Sequence, residues 1–183
     1  VSAAGTTFME GFHYLFHPVM QRVIDLVQAG ALGRIQHVDT MVAIPAPPDD
    51  DPRWSLALAG GAVMDLGCYS LHAQRMLGAF LGGPPKVVSA RAGTRAGRSE
   101  VDEWLDADLV FPDGATGSAR CHMAHGDVEM SLRIVGSDGE IVAYADLWLE
   151  DATLTQKQLA ATLRAFLPAI DLGYARITAT MAT

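Results

Sequence analysis

The sequence predicts an α+β fold, namely an open, mainly antiparallel sheet with helices packed on one face. Three observations predict it. Two segments with helical periodicity flank one strand-like segment before residue 82, and a run of short strand-like segments fills residues 86–145. Half of the 183 residues are hydrophobic, which is enough to bury a core. Helices followed by a run of strands are typical of α+β domains.

The first elements are predicted in the order strand, helix, strand. Residues 6–12, TTFMEGF, favour a short buried strand because Thr and Phe prefer extended structure. A helix begins at Pro18, which suits a first turn, and its apolar periodicity ends before Gly30. Residues 35–44 predict the next strand, and the Pro- and Asp-rich residues 45–54 predict an exposed loop.

A second helix is predicted over residues 61–81, ended by GGPP. The alternation that follows predicts strands at 86–92, 103–111, 116–125, 129–135 and 141–145. The turns PDG and SDG place Gly114 and Gly139 where hairpins require a positive φ. Helical spacing returns between Leu159 and Ile170, and no element is predicted after Gly173.

The charge and composition of the chain limit which kinds of partner it can bind. The net charge is −8, and from Ser99 to Asp151 there are 13 acidic residues against Arg120 and Arg133. A phosphate-binding surface needs the opposite balance, so neither nucleic acid nor an anionic membrane is expected as a partner. No apolar run is long enough to span a bilayer, and two cysteines are too few for a disulfide framework. These features predict a cytoplasmic protein without a metal site.

The segment GGAVMDLGCYSLH, residues 60–72, carries the main candidate chemistry. On a helix, Asp65, Tyr69 and His72 share one face, and the two glycines permit close approach of a backbone or a ligand. A carboxylate beside a phenol suits proton transfer to a hydroxyl or carbonyl group. A structural interpretation competes: Asp65 caps the helix and Tyr69 is a core aromatic residue. Spacing alone favours the structural interpretation.

The sequence resembles a known family at several points in order. MEGFHYLFHP, AGALG, DPRW and AGGAVMDLGCYSLH are similar to the patterns E-x-F-x-Y-R-x-H-P, L-G and D-x-R followed by G-G-G-x-x-x-D-x-G-x-Y. These patterns belong to the second domain of the Gfo/Idh/MocA oxidoreductases. The nearest branch is that of dimeric dihydrodiol dehydrogenase, xylose dehydrogenase and glucose–fructose oxidoreductase. The resemblance covers about residues 3–146.

The resemblance implies a two-domain enzyme whose first domain is a Rossmann fold. The 183 residues contain neither a G-x-G-x-x-G turn nor the Glu-Lys-Pro motif that carries the family's catalytic Lys. We therefore expect that domain to lie outside this chain. Residues 1–14 are then the end of its last strand, residues 15–150 the substrate and oligomerisation domain, and residues 151–183 a helical tail.

The resemblance also implies roles for individual residues. Tyr69 matches the catalytic acid/base, and Asp65 matches the residue that binds a substrate hydroxyl and orients its neighbours. The remaining candidates are Arg53, Trp54, His72 and Gly61 for the substrate, and Glu10, His13 and Tyr14 for the cofactor. Trp54 is equally compatible with a loop anchor, and His72 and His13 with ordinary packing. Leu15 and Ala59 depart from the Arg and Gly of the family patterns.

The resemblance implies an NADP- or NAD-dependent oxidoreductase that transfers hydride between nicotinamide and a secondary alcohol of a sugar, polyol or dihydrodiol. A homodimer or higher homo-oligomer through the sheet is expected. The alternative is a non-catalytic binding or assembly module built on the same sheet.

Overall fold

The computed structural model describes residue 5, residues 11–145 and residues 175–181. Only the backbone is described at residues 13, 98, 99, 145 and 175–181. Most of the strand predicted at residues 6–12 and all of the helix predicted between Leu159 and Ile170 lie outside the described residues.

A single seven-stranded sheet forms the body of the described chain. Its strands are β1 Ile35–Ala43, β2 Lys86–Arg95, β3 Arg98–Val110, β4 Thr116–His122, β5 Glu129–Gly136, β6 Gly139–Ala145 and β7 Ala175–Met181. Their spatial order is β2-β3-β4-β1-β5-β6-β7, in which β1 runs parallel to β4 and the other five neighbouring pairs are antiparallel. The predicted α+β class with an open, mainly antiparallel sheet is confirmed.

Strand β1 is the central strand of the sheet, and its residues alternate in burial. Val38, Thr40 and Val42 are buried, whereas Asp39 and Met41 between them are only partly buried. One face of a strand with this pattern packs on a core, and the other stays open.

Two helices, α1 (Pro18–Gln28) and α2 (Cys68–Leu77), cover the buried face. Their apolar residues join those of the sheet in one core, which includes Met20, Val23, Val27, Leu77, Val38, Ile134 and Ile141. Packing of both helices on one face agrees with the predicted arrangement. In the described part of the chain, no helix combines the length and the apolar character needed to cross a membrane.

A buried amide fixes α2 on the sheet. The Gln74 side chain donates from Nε2 to the carbonyl oxygens of Val38 and Ser118, at 2.9 Å in each case. Gly117 leaves the room for this contact, since a Cβ atom there would lie 2.6 Å from Gln74 Oε1. These bonds span β1 and β4, so they set the rotation of α2 and therefore the direction of Tyr69 near its start.

The helix predicted over residues 61–81 is not regular. Val63–Gly67 form a π-helical turn before α2, and Gly78–Phe80 form a 3₁₀ turn after it. At Gly67 a Cβ atom would lie 3.0 Å from Cys121 Sγ, so the bare backbone there packs directly on β4. Single π-helical turns inside helices are frequent at functional sites.

The turns and the final strand differ in part from the expectations. Gly114 has the positive φ expected of it, at 93°, but Gly139 does not, because it already belongs to strand β6. A third glycine, Gly97, has φ 77° and lies in the turn between β2 and β3.

The chain was predicted to have no element after Gly173, and this prediction was wrong, since β7 lies there and pairs with β6. A short edge strand is defined by its partner more than by its own periodicity.

Candidate active site

A short 3₁₀ turn, Pro52–Trp54, forms one side of the candidate site. The Asp51 carboxylate accepts a hydrogen bond of 2.9 Å from the Arg53 backbone N–H and so caps this turn. Trp54 is 3% exposed, and its indole N–H donates to the carbonyl of Pro47 at 3.3 Å. Of the two interpretations of Trp54, this position matches the loop anchor.

The backbone of Arg53 packs against Gly60 and Gly61, the two glycines before the helix. The Gly61 N–H donates to the Arg53 carbonyl at 2.9 Å, and a Cβ atom on Gly60 would lie 2.4 Å from the same oxygen. Gly61 has φ 116°, and a Cβ atom there would lie 2.3 Å from Asp102 Oδ1. The close approach that the glycines permit is therefore made by protein groups at these points.

Ala59, which stands where the family pattern has Gly, adopts a left-handed conformation with φ 57° and ψ 38°. This region costs a residue with a Cβ atom about 1 kcal/mol or more relative to Gly. We expect Ala59→Gly to raise the free energy of unfolding by up to about 1 kcal/mol, measured by urea denaturation. Ala124→Gly is the control, and a gain of equal size in that variant would contradict the explanation.

Asp102 is a site residue that sequence reasoning missed. Its Oδ2 accepts a hydrogen bond of 2.6 Å from the backbone N–H of Val63, at the start of the π-helical turn. The structural interpretation gave the capping role to Asp65, but Asp102 of β3 performs it. No local pattern marks this contact, because 39 residues separate the two partners.

Asp65 pairs with Arg53. Arg53 Nε donates to Asp65 Oδ2 at 2.7 Å, and Arg53 Nη1 lies 3.2 Å from Asp51 Oδ2. The Arg53 side chain is 45% exposed and that of Asp65 31%. The Arg53 guanidinium is a permanent cation, as in any arginine, and the hydrogen bond to Asp65 raises its pKa further.

A surface depression contains this ion pair. It is lined by Pro52, Arg53, Leu58, Ala59, Gly60, Met64 and Asp65. Met64 and Leu58 are 60% and 66% exposed, so the depression has an apolar rim around a paired charge.

An aromatic cluster lies beside the depression. It is formed by Tyr69 and His72 of α2 and by Phe12 and Tyr14, which precede α1. The Tyr14 hydroxyl is 2.7 Å from His72 Nδ1, and the Phe12 ring is stacked on the His72 ring at 3.8 Å and 2°. Tyr69 makes edge contacts, with ring centroids 5.8 Å from Phe12 and 6.3 Å from Tyr14. Phe12 was not among the predicted site residues, although it lies between Glu10 and His13.

Both phenols are held in the neutral form at neutral pH. Burial, followed by the neighbouring Cys68 and Asp65, raises the pKa of Tyr69 above its ordinary value. Burial and then Cys68 raise the pKa of Tyr14 well above its ordinary value. A neutral Tyr69 phenol can donate a proton. It can accept one only after ionising to the phenolate, which requires a nearby positive charge near neutral pH.

The predicted site residues thus fall into two adjoining groups. Arg53 contacts Asp65, and Asp65 lies close enough to Tyr69 to affect its ionisation. Tyr69 in turn contacts the Tyr14–His72 pair through the aromatic cluster. Glu10 and the side chain of His13 lie outside the described residues.

Comparison with known proteins places this chain in a family. Residues 20–142 match the GFO/IDH/MocA C-terminal domain. The chain is similar to D-xylose 1-dehydrogenase (NADP(+)) 2 of Haloferax volcanii, with 37% identity over 142 residues, which cover 76% of this chain and 41% of that protein. It is 32% identical over 136 residues to a dTDP-3,4-didehydro-2,6-dideoxy-alpha-D-glucose 3-reductase of Saccharopolyspora spinosa, covering 73% of this chain and 39% of that one.

Solved structures give the same result. A 3-ketoreductase from Actinomadura kijaniata in complex with NADP and TDP-benzene superimposes with a TM-score of 0.69 at 29% identity, over 78% of this chain and 42% of that one. An aldose-aldose oxidoreductase from Caulobacter crescentus, complexed with glycerol, gives 0.68 at 29% identity over the same shares. The chain spans about two fifths of the length of these relatives. It belongs to the GFO/IDH/MocA family and carries the C-terminal domain of that family.

Proposed function

We propose that the chain is the substrate domain of an NAD(P)-dependent oxidoreductase that transfers hydride between nicotinamide and a secondary alcohol of a sugar, polyol or dihydrodiol. The observation that carries the proposal is Tyr69 in contact with the Tyr14–His72 pair, one helical turn from the Asp65 carboxylate. The relatives named for NADP-dependent xylose oxidation and for ketone reduction support this class of reaction.

In this proposal the protein residues bind the substrate and move its proton. Tyr69 relays the proton of the reacting hydroxyl, and Asp65 accepts a hydrogen bond from a substrate hydroxyl. Arg53 and His72 border the substrate, while Trp54 and Gly61 shape the loop and the helix start around it. The positive charge that lets a phenol act as a base comes, by the resemblance, from a Lys outside these 183 residues.

Two aromatic residues support a cofactor contact near Tyr69. The Phe12 and Tyr14 rings lie beside the Tyr69 ring, in the segment where the resemblance implies contact with the nicotinamide end. We propose that Glu10, His13 and Tyr14 contact the nicotinamide end of NADP or NAD. When bound, the cofactor supplies the hydride acceptor or donor.

A second copy of the chain is the proposed partner. The open face of the sheet carries a charged group centred on Asp39, whose neighbours include His37, Arg120 and Arg133 at 3.2, 3.8 and 3.7 Å. Strand β2 at the sheet edge is exposed on both sides over most of its length. The exposed edge strand offers unpaired backbone groups to another subunit. Light scattering on the purified protein tests the assembly, and a monomer at all concentrations would contradict it.

The proposed function is tested with the protein expressed from the whole reading frame that encodes this chain. Binding of NADPH and NADH is followed by nicotinamide fluorescence, and turnover by nicotinamide absorbance with neutral sugars, polyols and dihydrodiols. We expect saturable binding of at least one cofactor and oxidation of at least one alcohol. Failure of both cofactors to bind would contradict the proposal and favour the binding or assembly module.

A further inference from the structure

We propose that Arg53 is a positioning residue that acts on Tyr69 through Asp65. Arg53 holds the Asp65 carboxylate in place and offsets its negative charge, so that the Tyr69 phenol can give up its proton. The inference rests on the proposed role of Tyr69 in proton transfer. The resemblance gave Arg53 only a place near the substrate, and the inference links Arg53 to Tyr69 through the ion pair with Asp65.

Arg53 holds the helix start at two points. Its carbonyl accepts a hydrogen bond of 2.9 Å from the Gly61 N–H, and its Nε donates to Asp65 Oδ2 at 2.7 Å. The first contact fixes the Arg53 backbone against the glycine entry, and the second fixes the carboxylate one turn further on. The absence of a side chain at Gly60 permits both, since a Cβ atom there would lie 2.4 Å from the Arg53 carbonyl oxygen.

Asp51 fixes the other side of the guanidinium. Arg53 Nη1 donates to both Asp51 carboxylate oxygens, at 3.3 Å to Oδ1 and 3.2 Å to Oδ2. Asp51 Oδ1 also accepts the Arg53 backbone N–H, so Asp51 holds both ends of the residue. A planar guanidinium can serve two carboxylates at once in a fixed geometry, which a lysine ammonium cannot reproduce.

The charge on Asp65 matters because of what faces Tyr69. The titratable residues near Tyr69 include Asp65 and Cys68 on its own helix and Tyr14 in edge contact with it, and Tyr14 is in turn hydrogen-bonded to His72. A carboxylate one turn away opposes formation of a phenolate. Arg53 is the cation bound to that carboxylate, and it therefore reduces the opposition.

The test is a pH titration of Tyr69 in the whole chain, followed by NMR of ¹³C-labelled tyrosine rings. The Tyr69 signal is assigned by its loss in Tyr69→Phe. We expect the pKa of Tyr69 to rise in Arg53→Gln and to fall in Asp65→Asn. In the Asp65→Asn background we expect Arg53→Gln to raise the pKa of Tyr69 by clearly less than it does when Asp65 is present, because only the direct field of Arg53 then remains.

Arg91→Gln is the matched control. Arg91 lies on β2, its side chain is 79% exposed, and it pairs with Asp106 at 3.6 Å, so its removal is expected to leave the Tyr69 titration unchanged. If Arg53→Gln does not fold, Arg53→Lys takes its place, with a smaller rise expected and an unchanged pKa contradicting the proposal.

Two results would overturn the inference. One is an unchanged Tyr69 titration in folded Arg53→Gln. The other is an equal effect of Arg53→Gln with and without Asp65→Asn, which would mean that Arg53 does not act through Asp65. Neither depends on turnover, so failure of this inference is distinct from failure of the proposed function, which is judged by cofactor binding and alcohol oxidation in the unsubstituted protein.

Discussion

If the proposed function holds, replacing Tyr69 by Phe is expected to lower turnover of the protein expressed from the whole reading frame by about 10²–10⁴-fold while leaving cofactor affinity nearly unchanged. The substitution removes one oxygen and keeps the ring. The edge contacts with Phe12 and Tyr14, at centroid distances of 5.8 and 6.3 Å, can therefore persist. Steady-state rates and nicotinamide fluorescence titrations measure the two quantities separately.

The pH dependence gives a second readout for the same substitution. Burial raises the pKa of Tyr69, so the phenol is protonated at neutral pH and becomes a base only as the pH rises. Alcohol oxidation should therefore accelerate with increasing pH in the wild-type enzyme, and Tyr69→Phe should lose this dependence. Tyr144→Phe, at a 47% exposed position on β6, is the matched control and should retain both rate and pH profile. Wild-type rates in Tyr69→Phe would end the catalytic assignment.

Replacing Gly60 by Ala is expected to lower the free energy of unfolding by about 1–3 kcal/mol. The added methyl group would lie 2.4 Å from the Arg53 carbonyl oxygen and 2.9 Å from that of Ser55. Both obstacles are backbone atoms, so a side-chain rotation cannot relieve the overlap. Urea denaturation followed by circular dichroism measures the loss.

The same substitution should also displace Arg53 from Asp65. The 2.7 Å hydrogen bond from Arg53 Nε to Asp65 Oδ2 requires the Arg53 backbone to keep its position against Gly60. Gly126→Ala is the matched control, because a Cβ atom on Gly126 would meet nothing within 4 Å. Equal stability of the two variants would show that the close approach at Gly60 is not required for folding.

Much of the architecture could be predicted from local patterns. The periodicity after Pro18 predicted helix α1, and alternation located six of the seven strands that the structure describes. The segment from Gly60 to His72 was identified as the centre of the candidate site, and its resemblance to the family was confirmed. These features are local, because a helix face or a strand face repeats within a few residues.

Two predictions from local patterns failed, because contacts between segments distant in sequence determine the structure there. Helical periodicity predicted one continuous helix over residues 61–81, but packing of Gly67 on Cys121 accompanies a π-helical turn there. Strand β7 was missed because pairing with β6, rather than its own pattern, defines it. The role each site residue plays in the reaction remains a prediction.

The sequence by itself determined which residue types are present at the site, the order of most elements and the pair of glycines before the helix that carries Tyr69. The tertiary structure decided which of those residues meet. Arg53 reaches Asp65, Tyr14 reaches His72, and Asp102 caps Val63 across separations of 12, 58 and 39 residues. These partners come from separate helical turns, helix α2 and strand β3. Sheet register and helix packing bring them within hydrogen-bond distance, and the periodicity of a single segment does not show this.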